Sequence, residues 1–250
     1  MKITIALFAY GGISSECLLC HMDLLAGIIK GNLPVKMFTI REDALISRSR
    51  CRATGQFLRD PDHSDVLIML DHDIEFKAAD IFALAQLAHT QQAVVGIPYA
   101  KRRFGAGSAG RPHNVPPVSQ PTLAQVQYLG AGCIAVPRGT IEATVAHCKG
   151  LPAPLGVSWC EDSISPFWTL WHPFVLDSEY LSEDYAFCER ARSAGVPILA
   201  WLGPKLTHWG VHGFKLMEPE LAQLVTTAID LGLSRNPLEP NFAPPSIFTP

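Results

Sequence analysis

The sequence predicts an α/β fold, a mostly parallel sheet with helices on both of its faces. Through the first 100 residues, short apolar runs alternate with longer amphipathic ones, the pattern of strand–helix units. The run at 65–70 is apolar on both sides, as a strand covered on both faces must be. The chain of 250 residues is 48% hydrophobic and 17% charged, with no break in composition, which suits one large domain.

The elements follow in order. Ile3 to Ala9 reads as a buried strand ended by Tyr10-Gly11-Gly12. Ser14 or Ser15 can cap the next helix, where Leu18, Met22, Leu25 and Ile29 recur at helical spacing until Gly31-Asn32. Val35 to Ile40 is a second strand, about 46 to 60 a second helix, and Asp65 to Leu70 a third strand. A helix near 78–90 and a strand at Ala93 to Gly96 continue the alternation. After Pro98 it breaks down. Residues 104–122, rich in Gly and Pro, read as a long surface loop. Val126 to Val136 reads as one strand interrupted by Gly130 and Gly132, followed by a helix at about 138–148. Residues 150–180 are irregular and aromatic, with Trp159, Phe167, Trp168, Trp171 and Phe174. A helix from Glu183 to about Ala194, a short strand at Ile198 to Trp201 and a helix near 218–233 complete the pattern. From Pro237 the chain carries five prolines and reads as extended.

Several function classes fall away. Net charge is −3 and the basic residues are scattered, which disfavours a non-specific nucleic-acid or membrane surface. No apolar run approaches the roughly 20 residues that span a bilayer. The start, Met1-Lys2 before Ile3 to Tyr10, lacks a convincing small-residue cleavage site and reads as a first strand rather than a signal peptide. Seven cysteines, an odd count in a chain this long, read as reduced thiols in a cytoplasmic setting. Cys17 and Cys20 have redox or zinc spacing, or are two small core residues.

Three segments could carry chemistry. Asp71 and Asp73 end the third strand, where residues two apart share a face and His72 points away. Ligands of open parallel sheets bind at these strand ends. Two convergent carboxylates there call for a cation, Mg²⁺ or Mn²⁺, unless they are simply solvated acids. Ser182 is a good N-cap, so Glu183 and Asp184 fall in a first helical turn. Acids belong there for the helix dipole alone, and the same dipole keeps a general base ionised. His208 and His212 lie four apart, but the flanking glycines argue against a helix, so one histidine acts alone or is structural.

Together these segments, over roughly residues 1–215, resemble the GT-A glycosyltransferases, closest to the bacterial and phage family-2-like kind. Leu67 to Phe76 is similar to the D-x-D segment, Ser182 to Gly195 to the "E-D-x-x-F-C-x-R-A-x-x-x-G" helix, and Thr207-His208-Trp209-Gly210 to the late histidine. The resemblance implies a Rossmann-like sheet in one domain, 1–235, with a nucleotide-binding half (1–100) and an acceptor-side half (101–235), before the proline-rich tail 236–250. It implies transfer of a sugar from a nucleotide-diphosphate donor to an acceptor hydroxyl, with inversion. Asp73 and His208 would bind Mn²⁺ or Mg²⁺, with Asp71 reaching the ion through water or holding the ribose. Asp184 would be the base, supported by Glu183. Ala9 and Tyr10 would cradle the nucleotide base, unless Tyr10 simply packs. Arg50 would reach the nucleotide, although Ser49-Arg50-Cys51 departs from the family's Ala-Arg-Asn, and Arg48, Arg50 and Arg52 could instead be a solvated face. Lys101 would meet a phosphate. Gly132 would let backbone approach the donor sugar, or mark a bulge. The aromatic segment 159–174 is the candidate acceptor side, or a packing cluster. The acceptor itself stays open between a saccharide, a lipid-linked sugar, a protein and a modified nucleic acid. A sugar-nucleotide pyrophosphorylase is the first alternative, but the loop after the first strand has no basic residue. A non-catalytic nucleotide-sugar-binding module is the second.

Overall fold

A computed structural model describes residues 1–41, 43–101, 110–112, 123–210 and 213–215. The helix expected near 218–233, the proline-rich tail, His212 and most of the 104–122 loop lie outside them.

Strand β1 (Ile3–Ala9) leads through helix α1 (Ser15–Lys30) to β2 (Val35–Arg41), and α2 (Ile46–Arg59) leads to β3 (Val66–Asp71). After the short β4 (Ile74–Glu75) come α3 (Ala78–Gln91), β5 (Val94–Gly96) and β6 (Gly110–Pro112). Then follow β7 (Leu123–Leu129), β8 (Cys133–Pro137) and α4 (Arg138–Cys148). The irregular stretch holds two small hairpins, β9 (Trp159–Cys160) with β10 (Phe167–Trp168) and β11 (Phe174–Leu176) with β12 (Glu179–Leu181). Helix α5 (Glu183–Ser193), β13 (Ile198–Trp201), β14 (Thr207–Trp209) and β15 (Gly213–Lys215) close the order.

The main sheet runs β2-β1-β3-β8-β5-β13-β7-β6. Six strands share one direction and β7 and β8 oppose them, so the mostly parallel α/β expectation holds. Alternation sends successive residues into two cores. Ile3, Ile5, Val66, Ile68 and Leu70 join Leu24 of α1 and Ile81 and Leu84 of α3 on one face. Ala6, Phe8, Leu67 and Met69 join Phe57 of α2, Ile141 of α4 and Phe187 of α5 on the other.

One expectation needs correction. The run at 126–136 is not one strand: the chain turns at 130–132, and β8 inserts between β3 and β5 while β7 pairs with β13 on the far side. Helix α1 forms as expected, with Ser14 accepting from the Cys17 amide at 3.1 Å. Its apolar stripe, however, points outward. The buried residues are Cys17, Cys20, His21, Leu24 and Gly27, while Leu18, Met22, Leu25 and Ile29 are exposed. Small side chains let the helix sit close on the sheet, which periodicity alone does not register. All seven cysteines are free, and burial pushes the Cys20 thiol up to about 11, as befits a packed core thiol. Among the described residues no helix is long and apolar enough to cross a membrane.

The segment before α5 is pinned by Arg190, which is 2% exposed and donates to the carbonyls of Leu155 (3.1 Å), Leu170 (2.8 Å) and His172 (2.8 Å). Trp171 stacks on Phe187 with centroids 4.0 Å apart and donates to Thr54 Oγ1 at 2.9 Å. Both Trp171 and Phe167 are buried, so this part of the aromatic segment is core. Trp159 is exposed, edge-on to Trp168 at 5.4 Å.

Candidate active site

The strand ends of β1, β2 and β3 open onto a cavity of about 410 Å³, where parallel sheets place their ligands. One wall is Phe8 and Ala9 at the end of β1 with Tyr10 after it, and Ile40 of β2 with Asp43 and Ala44 after that strand. The floor is Ile46, Ser49 and Arg50 of α2, with Asp71 at the end of β3 and His72 and Asp73 after it. Tyr99, Glu183 and Asp184 complete the lining. Asp71, Asp73, Arg50, Glu183, Asp184, Ala9 and Tyr10, separated widely in sequence, therefore meet in one place.

The local path explains the acidic pair. Asp71 is the last β3 residue, its amide bonded to the Gly132 carbonyl at 2.9 Å. His72 donates its backbone N–H to the Phe8 carbonyl at 2.9 Å, the chain turns, and β4 begins at Ile74. Because the strand ends there, period-2 alternation lapses, and His72 lines the cavity instead of facing away.

The two aspartates meet different partners. Arg50, 2% exposed, places Nη2 3.0 Å from both Asp71 carboxylate oxygens, and its Nε lies 3.7 Å from Glu183 Oε1. Its guanidinium carbon sits 4.9 Å from the Phe8 ring centroid, a cation–π arrangement. Arg50 Nε and Nη1 find no hydrogen-bond partner among the described residues. Burial pushes the Asp71 carboxyl up, against the pull of Arg50, and the nearby Asp73 adds to the rise. Burial likewise raises Glu183, again opposed by Arg50. For Arg50 itself burial works against the charge, but Asp71 and Glu183 outweigh it and hold the cation.

Asp73 is 8% exposed and faces His208, whose Nε2 is 3.6 Å from Asp73 Oδ2. Pairing of β14 with β4 makes this contact, setting His208 opposite Ile74. His208 Nδ1 is 2.9 Å from the Ala100 carbonyl. A carbonyl only accepts, so the neutral ring carries its proton on Nδ1 and turns the Nε2 lone pair toward Asp73. Two acceptors set this way suit a shared cation, and carboxylate with imidazole suits Mn²⁺ or Mg²⁺. Among the described residues no three Asp, Glu, His or Cys side chains gather closely enough to hold a metal unaided. Asp71 is engaged by Arg50 instead.

Ser182 is the N-cap of α5, yet its hydroxyl bonds the Asp184 carboxylate rather than a backbone amide. The same Asp184 oxygen accepts from the Tyr185 amide at 2.9 Å.

The remaining expected residues fall outside the lining. Lys101 is exposed. A Cβ on Gly132 would come within 2.8 Å of the Tyr99 ring, and the Gly132 amide donates to the Tyr99 hydroxyl at 3.0 Å. What approaches Gly132 is therefore Tyr99. The three arginines of α2 divide. Arg50 lines the cavity, while Arg52 is nearly buried between Asp43 (2.7 Å) and Asp162 (2.7 Å). Arg48, 41% exposed at its side chain, also pairs with Asp43. The sequence reading missed Asp43, Tyr99 and His72. An acid just beyond β2, five and nine residues before arginines, was the available signal for Asp43.

No protein-family model matches the sequence, and neither does any curated protein. Among solved structures the chain is similar to A197 from STIV, at 16% identity and a TM-score of 0.51, covering 84% of this chain and 86% of that one. At this identity the likeness is one of fold. A Drosophila β-1,4-galactosyltransferase 7 mutant, in complex with manganese, UDP-Gal and xylobiose, aligns at 15% identity and a TM-score of 0.42, covering 81% of this chain and 66% of that one. A glycosyltransferase involved in glycosylation of the major capsid of PBCV-1 aligns at 13% and 0.35, covering 62% and 70%.

Proposed function

We propose that this protein is a divalent-ion-dependent glycosyltransferase of the GT-A type, moving a sugar from a nucleoside-diphosphate donor to an acceptor hydroxyl with inversion. The carrying observation is the Asp73–His208 pair, 3.6 Å apart at the edge of a cavity that Asp184 and Glu183 also line. Asp73 and His208 would hold the ion, with donor phosphate oxygens completing its shell. When bound, it supplies positive charge opposite the leaving diphosphate.

The chain's own residues divide the other tasks. Ala9 and Tyr10, with Phe8 and Ile40, offer an apolar wall for the nucleotide base. The two N–H groups of Arg50 without partners among the described residues suit an oxygen of the ribose or diphosphate. Asp184 takes the proton from the acceptor hydroxyl as its oxygen bonds the anomeric carbon, while the bond from that carbon to the diphosphate oxygen breaks. Glu183 holds Arg50 in place. The reading needs neither Lys101 nor Gly132. Trp159, the exposed member of its segment, is the candidate platform for a sugar acceptor.

A thermal-shift panel of nucleoside diphosphates with and without Mn²⁺ tests donor binding, with a shift expected only when both are present. Asp184→Asn should keep that shift and lower nucleotide release with a competent acceptor by about 10²–10⁴-fold. Unchanged turnover in Asp184→Asn would sink the base assignment.

A further inference from the structure

Tyr99 lines the cavity and is only 7% exposed. Its ring stands edge-on to His208, with centroids 5.1 Å apart. Its hydroxyl oxygen accepts from the Gly132 amide at 3.0 Å. That approach needs a glycine, because a Cβ at 132 would fall 2.8 Å from the same oxygen. A phenol that accepts one hydrogen bond still has its own O–H to give. Among the described residues no acceptor takes it. A polar hydrogen at this depth calls for an acceptor, and the open side is the cavity.

We propose that the Tyr99 hydroxyl donates to a hydroxyl oxygen of the sugar carried by the nucleotide donor. The role rests on the glycosyltransferase reading and adds to it the residue that reads the transferred sugar.

The order of the strands supports this placement. The main sheet begins β2-β1-β3-β8-β5. Ala9 ends β1 with Tyr10 after it, and Asp71 ends β3. Gly132 directly precedes β8 at the same end of the sheet, where its carbonyl accepts from the Asp71 amide at 2.9 Å. Tyr99 lies three residues beyond β5. Neighbouring strands are about 4.8 Å apart, so β5 stands roughly 14 Å from β1. A sugar nucleotide is itself linear, running from base through ribose and diphosphate to sugar. With its base against Ala9 and Tyr10 and its diphosphate at the acid pair, its sugar extends toward β8 and β5, where Tyr99 waits.

The chemistry agrees. The charge of a diphosphate is met by the ion and by Arg50, whereas a neutral O–H matches a neutral sugar hydroxyl. Such a donor discriminates against a sugar that lacks the matching oxygen. A purely structural Tyr99 would hold only Gly132 and His208. Its loss would then disturb the ion and the diphosphate, and so affect a nucleotide equally with or without its sugar.

That difference sets the test. Tyr99→Phe keeps the ring beside His208 and removes the O–H. Calorimetric titration in Mn²⁺ compares UDP with UDP-glucose and UDP-galactose, and GDP with GDP-mannose, in the unmodified protein and the variant. The expected result is a loss of about tenfold for a sugar nucleotide whose diphosphate binds as before. A loss no greater for the sugar nucleotides than for their diphosphates, or no loss at all, overturns the proposal and leaves the glycosyltransferase reading standing. Unmodified protein that binds none of these probes overturns both. 3-Fluorotyrosine in place of Tyr99 keeps the hydroxyl and the fold should the phenylalanine variant not fold. Its ¹⁹F resonance should then shift further with the sugar nucleotide than with the diphosphate, and the same shift with both also overturns the proposal.

Discussion

Asp71 and Asp73 stand two residues apart on the same cavity, yet one faces an arginine and the other a histidine. Asp71 is balanced within the protein by Arg50, which also serves Glu183. Asp73 faces a ring nitrogen that, when neutral, offers a lone pair. The difference teaches that a D-x-D spacing does not assign one role to both acids. The protein balances the first itself, and under the proposed function the second would share a cation with His208.

The largest expected effect comes from removing the internal cation. Arg50→Gln leaves the half-buried Asp71 and Glu183 without a counter-charge and should cost about 3 kcal/mol of stability, read from the urea midpoint. Adding Asp71→Asn should recover part of that loss. A single variant as stable as the parent would break the comparison, because Asp71 would then need no balancing.

Next in size is the outside cation. Asp73→Asn should weaken Mn²⁺-dependent nucleoside-diphosphate binding by about 10²-fold, and Asp71→Asn by about 10-fold. Calorimetric titration with both variants sharpens the contrast, and equal losses would erase it.

The smallest effect concerns a carboxylate held by Arg52 outside the cavity lining. Asp162 is held well below the usual carboxylate range by its hydrogen bonds from Arg52. A depressed folded value means stability present above the ordinary carboxylate pKa and lost as pH falls through the folded value. Asp162→Asn should therefore cost about 1 kcal/mol near pH 7 and converge with the parent as the solution is acidified. Glu183 runs the other way. Its raised folded value adds stability below the ordinary carboxylate pKa that is lost as pH rises through the raised one. Denaturation midpoints of Asp162→Asn and Glu183→Gln against pH should show these opposite slopes.

Much of this architecture is legible locally. Apolar runs and helical spacing mark β1, α2, β3, α3 and α5 within a few residues, because each depends on near neighbours. The site was legible as three segments, 71–73, 182–184 and 208. Lys101 and Gly132 were singled out from one short stretch each, and the fold surrounds them otherwise: one is exposed, the other fills its space with Tyr99. Asp43 and Tyr99 were missed because their importance arises from residues far along the chain.

The amino-acid order alone thus determined the strand–helix alternation, the placement of acids at a strand end and at a helix start, and the late histidine. These rest on backbone periodicity and capping, which act over a few residues. Tertiary structure decided which of Arg48, Arg50 and Arg52 is buried among acids, which stripe of α1 turns inward, and that β14 lies against β4 to bring His208 beside Asp73. Each of those outcomes depends on a partner dozens of residues away, whose position only the packed sheet supplies.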